Sequence, residues 1–127
     1  MKVLALDYGP ARTGVAVSDP TGTLATPVGI VERPDTNRGL DRLVALVREH
    51  DVARVVVGLP LSLGGGDSAQ TGEARAFAER LRERLDVPVE LYDERFTTTL
   101  AKRAPGAAAE DARAAAVLLE GWLEARA

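Results

Sequence analysis

The sequence predicts a mixed α/β layer fold: five strands in one sheet, with helices packed against it. Two observations lead to this. Three short strand-like runs, each closed by turn residues, occupy the first quarter of the chain, and from residue 37 onward helical and strand-like periodicities alternate. Strands joined by tight turns pair antiparallel, whereas strands joined through a helix pair parallel, so a three-strand antiparallel meander should adjoin two parallel strands. The length of 127 residues suits one domain, residues 1–127, able to bury about two-thirds of its unfolded surface in a single core.

Lys2 to Asp7 reads as the first strand, Tyr8-Gly9-Pro10-Ala11 as a turn and Thr13 to Ser18 as the second strand. After Asp19-Pro20-Thr21-Gly22, a third extended run covers Leu24 to Val31. Between Asn37 and His50, Leu40, Leu43, Val44 and Val47 recur at three and four residues, the mark of an amphipathic helix. Arg54 to Gly58 is a β-branched run without alternation, as expected of a strand buried on both faces. A Gly-rich loop follows. Ala74, Phe77, Ala78, Leu81 and Leu85 then form the stripe of a second helix from about Gln70 to Leu85. Val87 to Glu94 returns to strand character, and Ala107 to Ala127 is helical after Pro105-Gly106. No repeat, linker or low-complexity tract interrupts this order.

The chain has no cysteine, which excludes disulfides, thiolate zinc sites and cysteine nucleophiles. Its opening, MKVLALDYG, is an apolar run too short for a membrane span and broken by an aspartate, so a cytoplasmic protein with no membrane partner is expected. With 16 basic and 19 acidic residues and a net charge of −3, bulk electrostatics do not draw the molecule to nucleic acid. Any such binding must use local arginines and bound cations. Fourteen of the 16 basic residues are Arg, the side chain better matched to phosphate, although helix-surface pairing with Glu also uses Arg.

Four segments carry candidate chemistry. Asp7 closes an apolar strand, where a buried unpaired carboxylate is costly; it either holds a cation or simply begins the turn, and the segment alone leaves both readings open. Gly58 to Asp67 is a flexible loop after a buried strand, at the kind of edge where open α/β sheets bind ligands, but it lacks the Gly-Lys-Ser/Thr of a phosphate-binding P-loop. Tyr92-Asp93-Glu94-Arg95-Phe96-Thr97-Thr98-Thr99 places adjacent acids at a strand end, and its threonines suit a helix cap. Glu110-Asp111 enters the last helix, where first-turn acids favour the dipole whatever the function. Carboxylates from three distant segments can share hard divalent ions such as magnesium or manganese.

Taken together, Asp7-x-Gly9-x-x-Arg12-x-Gly14-x-Ala16, Gly58-Leu59-Pro60-Leu61, Asp93-Glu94-Arg95-x-Thr97-Thr98 and Asp111 ahead of Ala115-Ala116-Val117-Leu118-Leu119-Glu120 resemble the YqgF family, also called RuvX, in order and spacing over nearly the whole chain. That resemblance implies a ribonuclease H-like fold with a five-stranded mixed sheet. It also implies a nuclease, cutting either the 5′ end of precursor 16S ribosomal RNA or, as the alternative, Holliday junctions. It assigns Asp7, Glu94 and Asp111 as catalytic metal-binding carboxylates for Mg2+ or Mn2+, with two ions expected. Nucleic acid, as precursor RNA or branched DNA, is then the partner, with a homodimer if junctions are cut symmetrically. Arg12 and Arg95 are candidate phosphate contacts, and Lys102, Arg103 and Arg113 could extend the basic rim. One departure stands out: only Ala104 to Glu110 separates Arg103 from Asp111, where the family has a longer basic segment. This stripped loop and the acidic balance motivate a different class of function, a nucleic-acid-binding module without turnover. An actin-like nucleotide binder would also use an Asp-x-Gly hairpin, but needs two such domains.

Overall fold

The computed structural model describes residues 1–59, 69–93 and 108–126. Within them the chain forms β1 (Val3–Asp7), β2 (Arg12–Ser18), β3 (Ala25–Glu32), α1 (Asn37–His50), β4 (Arg54–Leu59), α2 (Ala69–Arg84), β5 (Val89–Asp93) and α3 (Ala108–Arg126). The five strands make one sheet in the order β3-β2-β1-β4-β5. β1 pairs antiparallel with β2, and β2 with β3; β4 runs parallel to both β1 and β5, as the connections require.

Element boundaries differ from the expected ones by one or two residues, for local reasons. β2 starts at Arg12, a residue early, because Arg12 pairs with Glu32 and prolongs β3 to match. β5 begins at Val89 instead of Val87, after Pro88, whose carbonyl accepts from Val55 N at 2.9 Å. α1 keeps its expected limits because both ends are capped: Thr36 Oγ1 accepts from Gly39 N at 3.1 Å, and Asp51, with φ 52°, turns the chain into the left-handed region. The Gly-rich loop after β4 lies almost wholly outside the described residues.

The pleat divides the apolar residues between two layers. Leu4 and Leu6 of β1 and Val15 and Val17 of β2 face α1 and α2, where they meet Leu40, Leu43, Val47, Phe77 and Leu81. Val3, Ala5, Ala16 and Val56 face the other way, toward Ala115, Leu118, Leu119 and Trp122 of α3. β4 is central, and its Val55, Val56 and Val57 are inaccessible to solvent, which accounts for a strand without polar alternation. Each fully buried Leu or Phe contributes about 1.5–3 kcal/mol. Among the described residues no helix is long and apolar enough to cross a membrane.

Two contacts fix α3 on its face of the sheet. At one end, a Cβ on Gly14 would stand 1.9 Å from the carbonyl oxygen of Asp111, so the helix backbone rests directly on β2 where the side chain is missing. Further along, the buried Trp122 donates through Nε1 to Glu90 Oε2 at 2.9 Å, while Glu90 Oε1 accepts from Arg54 Nη1 at 3.0 Å. Glu90 thus ties β5, β4 and α3 together. Gly14→Ala is expected to lower unfolding stability by about 1–3 kcal/mol, the range for overpacking, since backbone and not a side-chain tip must move. Glu90→Ala should cost about 1–3 kcal/mol by leaving the indole N–H of Trp122 without this acceptor, whereas Glu90→Gln, which keeps an acceptor, should cost less. Urea unfolding followed by Trp122 fluorescence measures all three.

Candidate active site at the carboxyl end of the sheet

Parallel β1, β4 and β5 all finish on one edge of the sheet, with Asp7, Leu59 and Asp93 as their last residues. This is the edge at which open α/β sheets bind ligands. Asp7 is half-buried there, and its main chain is held by Thr13, a wholly buried residue whose hydroxyl donates to the Asp7 carbonyl at 3.0 Å.

Asp7 is the register partner of Gly14. Directly opposed residues of an antiparallel pair point to the same side, so the Asp7 side chain shares the α3 face with the vacant side-chain position of Gly14. That position is where the backbone of Asp111 lies. What the missing side chain at Gly14 admits is α3 itself. A residue 104 positions away in the chain is thereby placed beside Asp7.

Asp111, the fourth residue of α3, receives a hydrogen bond from Arg12 Nε at its Oδ2. Arg12 precedes Gly14 by two residues and so stands on the same face of β2. The side chains of Arg12 and Asp111 are 32% and 28% exposed, so the ion pair is in contact with water and open to incoming ions. Arg113 is brought elsewhere: two residues beyond Asp111 it lies about 200° around the helix, and its side chain is exposed. Glu94, Arg95, Lys102 and Arg103 lie outside the described residues.

Tyr8 lies in the expected turn between β1 and β2, and its side chain is part of the core. Its ring packs against Phe77 with centroids 4.8 Å apart, and its hydroxyl donates to Asp35 Oδ2 at 2.5 Å. Burial, then the hydrogen bond to Asp35 and the charges of Asp35 and Glu73, push the phenol above its ordinary value, so Tyr8 stays neutral at physiological pH and does not act as a base. Arg80 of α2 donates to the Asp35 carbonyl, so β1, the β3–α1 connection and α2 meet on the side of the sheet opposite Asp111. Sequence reasoning missed this support. The available signal was an aromatic residue directly after a strand whose even-numbered residues, Leu4 and Leu6, already faced a core.

Among the described residues, no three His, Cys, Asp or Glu side chains converge to hold a metal ion. Two of the three expected carboxylates, Asp7 and Asp111, are nevertheless brought to one face at one edge. They supply hard anionic oxygens, both are reachable from water, and a divalent cation such as Mg2+ or Mn2+ fits that donor chemistry.

Comparison with known proteins agrees with this fold. The model of the family described as RuvX, Holliday junction resolvase, matches residues 1–125. A protein of Anaeromyxobacter sp. (strain Fw109-5) named "Putative pre-16S rRNA nuclease" is 42% identical over 135 residues, covering 99% of this chain and 98% of its own. One of the same name from Maridesulfovibrio salexigens is 38% identical over 132 residues, covering 97% and 98%. In fold, Thermus thermophilus RuvC solved in complex with a Holliday junction superposes with a TM-score of 0.65 at 18% identity, covering 99% of this chain and 95% of that one. The sheet order and its flanking helices are therefore those of the RuvC-like, ribonuclease H-type fold, and the chain belongs to the RuvX family.

Proposed function

We propose that this protein is a hydrolytic, divalent-metal-dependent nuclease that trims the 5′ end of precursor 16S ribosomal RNA, acting in the cytoplasm through the single domain of residues 1–127. The observation that carries the reading is the convergence of Asp7 and Asp111 through the side-chain gap at Gly14. Membership of the RuvX family and relatives named for nuclease action on pre-16S rRNA support the reaction and the substrate.

In this reading Asp7, Glu94 and Asp111 are the metal ligands, for two Mg2+ or Mn2+ ions. When bound, such ions supply an activated water and stabilise the leaving oxygen of an in-line attack on phosphorus. The chain's own residues do the rest. Thr13 holds the main chain of Asp7, and the packing of α3 on Gly14 holds Asp111 opposite it. Arg12 lies at the same edge, where its guanidinium can meet a phosphate oxygen, and Arg95, Lys102 and Arg103 extend the contacts along the nucleic-acid strand, whereas Arg113, turned away from Asp111, is left out of this set. The net charge of −3 means that affinity rests on this local set and falls steeply with salt.

Holliday junction cleavage is the second reading, favoured by the description of the family model. It uses the same carboxylates but requires two sites acting together, hence a two-fold dimer.

Incubating wild type and Asp7→Asn with labelled precursor 16S RNA, single-stranded DNA and a four-way junction, each with Mg2+, Mn2+ or chelator, tests both. Metal-dependent RNA cleavage that drops about 100-fold or more in Asp7→Asn, with unchanged circular dichroism, is the expected result. Faster cutting of the junction into symmetric products, together with a dimer in equilibrium sedimentation, would replace RNA processing by the resolvase reading. Binding of nucleic acid by wild type without cleavage of any substrate would sink the nuclease reading in favour of a non-catalytic binding module.

A further inference from the structure

We propose that Arg12 is a displaceable internal counter-ion: it holds Asp111 while the site is without substrate, competes there with a divalent cation, and leaves when a phosphate-bearing strand engages its guanidinium. This rests on the metal-dependent reading above and adds to it a coupling between metal loading and substrate binding, located at one residue.

The argument begins with charge. Gly14 lets α3 settle until Asp111 stands on the Asp7 face, which brings two carboxylates to one edge. Arg12 is the cation that strand alternation delivers to the same face, and its Nε donates to Asp111 Oδ2. A ligand oxygen engaged by a guanidinium N–H has less lone-pair density to offer a metal, and the positive charge repels a dication besides.

The pair is also built to exchange. With 32% and 28% of the two side chains exposed, water screens it, and an ion pair of this kind is readily traded for another partner. The contact with Asp111 uses Nε, which leaves N–H groups of the terminal nitrogens to make a charge-assisted bond to a phosphate oxygen. A strand arriving at this edge therefore offers Arg12 an alternative anion and frees Asp111 oxygen in the same event. By linkage, metal and strand each raise the affinity for the other.

Two neutral variants, Arg12→Gln and Arg12→Met, separate this role from simple stapling of α3. Free Mn2+ is measured by electron paramagnetic resonance during titration of the full chain, with circular dichroism and thermal melting as folding controls. Without nucleic acid, each folded variant should bind Mn2+ about five-fold more tightly than wild type, the scale of a partly exposed ion pair. Adding Asp111→Asn should abolish that gain. A phosphorothioate-protected single-stranded oligonucleotide, with its own Mn2+ binding subtracted, should tighten Mn2+ binding more in wild type than in the variants. Equal or weaker Mn2+ binding by a folded variant would overturn the inference and leave the metal reading intact, as would equal tightening by the oligonucleotide. Absence of Mn2+ binding by every form would instead remove the metal reading, and the inference with it.

Discussion

The contact that governs one face of the sheet is between the backbone of α3 at Asp111 and the empty side-chain position of Gly14 on β2. Everything on the α3 face depends on it. Gly14 sets the height of α3 above β2, and that height decides whether Ala115, Leu118, Leu119 and Trp122 reach Val3, Ala5, Ala16 and Val56. The small residues on both surfaces suit a close approach: Ala5 and Ala16 on the strands share a cluster with Ala115 and Ala116 on the helix. The contact that closes this core also places Asp111 beside Asp7, so stability and site geometry share one steric constraint. Glu90 anchors the helix at its far end through the indole of Trp122, which opposes pivoting about Gly14.

Much of this was legible in the sequence, because the periodicities are clean. The spacing of Leu40, Leu43, Val44 and Val47 could only be a helix face, and the Val55-Val56-Val57 run, polar on neither side, marked the central strand. The mixed sheet followed from connection lengths. Asp7 was visible as a charged residue ending an apolar strand, and Asp111 became visible once the motif order was matched as a whole.

What could not be read were relations across the chain. No local pattern says that Gly14 is empty for the sake of a helix made nearly a hundred residues later, or that Arg12 answers Asp111 before it answers any phosphate. Tyr8 lies in the expected turn, but its burial was not legible; its partner Asp35 is remote in sequence and became relevant only when β3 brought the chain back. Nothing in the strand run from Val87 to Glu94 singles out Glu90, yet it is the joint between two strands and a helix.

The covering of the sheet has a consequence for the order in which the protein comes into being. α1 and α2 are both synthesised before β5 is finished, so one face of the sheet can close early, whereas the other waits for α3, the only element on that face among the described residues. Domains begin to organise from their N-terminal parts during translation. A nascent chain lacking α3 therefore carries Asp7 without Asp111 and exposes Val3, Ala5, Ala16 and Val56 to water. The candidate site and the cover of that apolar face are thus completed in one late step, by the same helix.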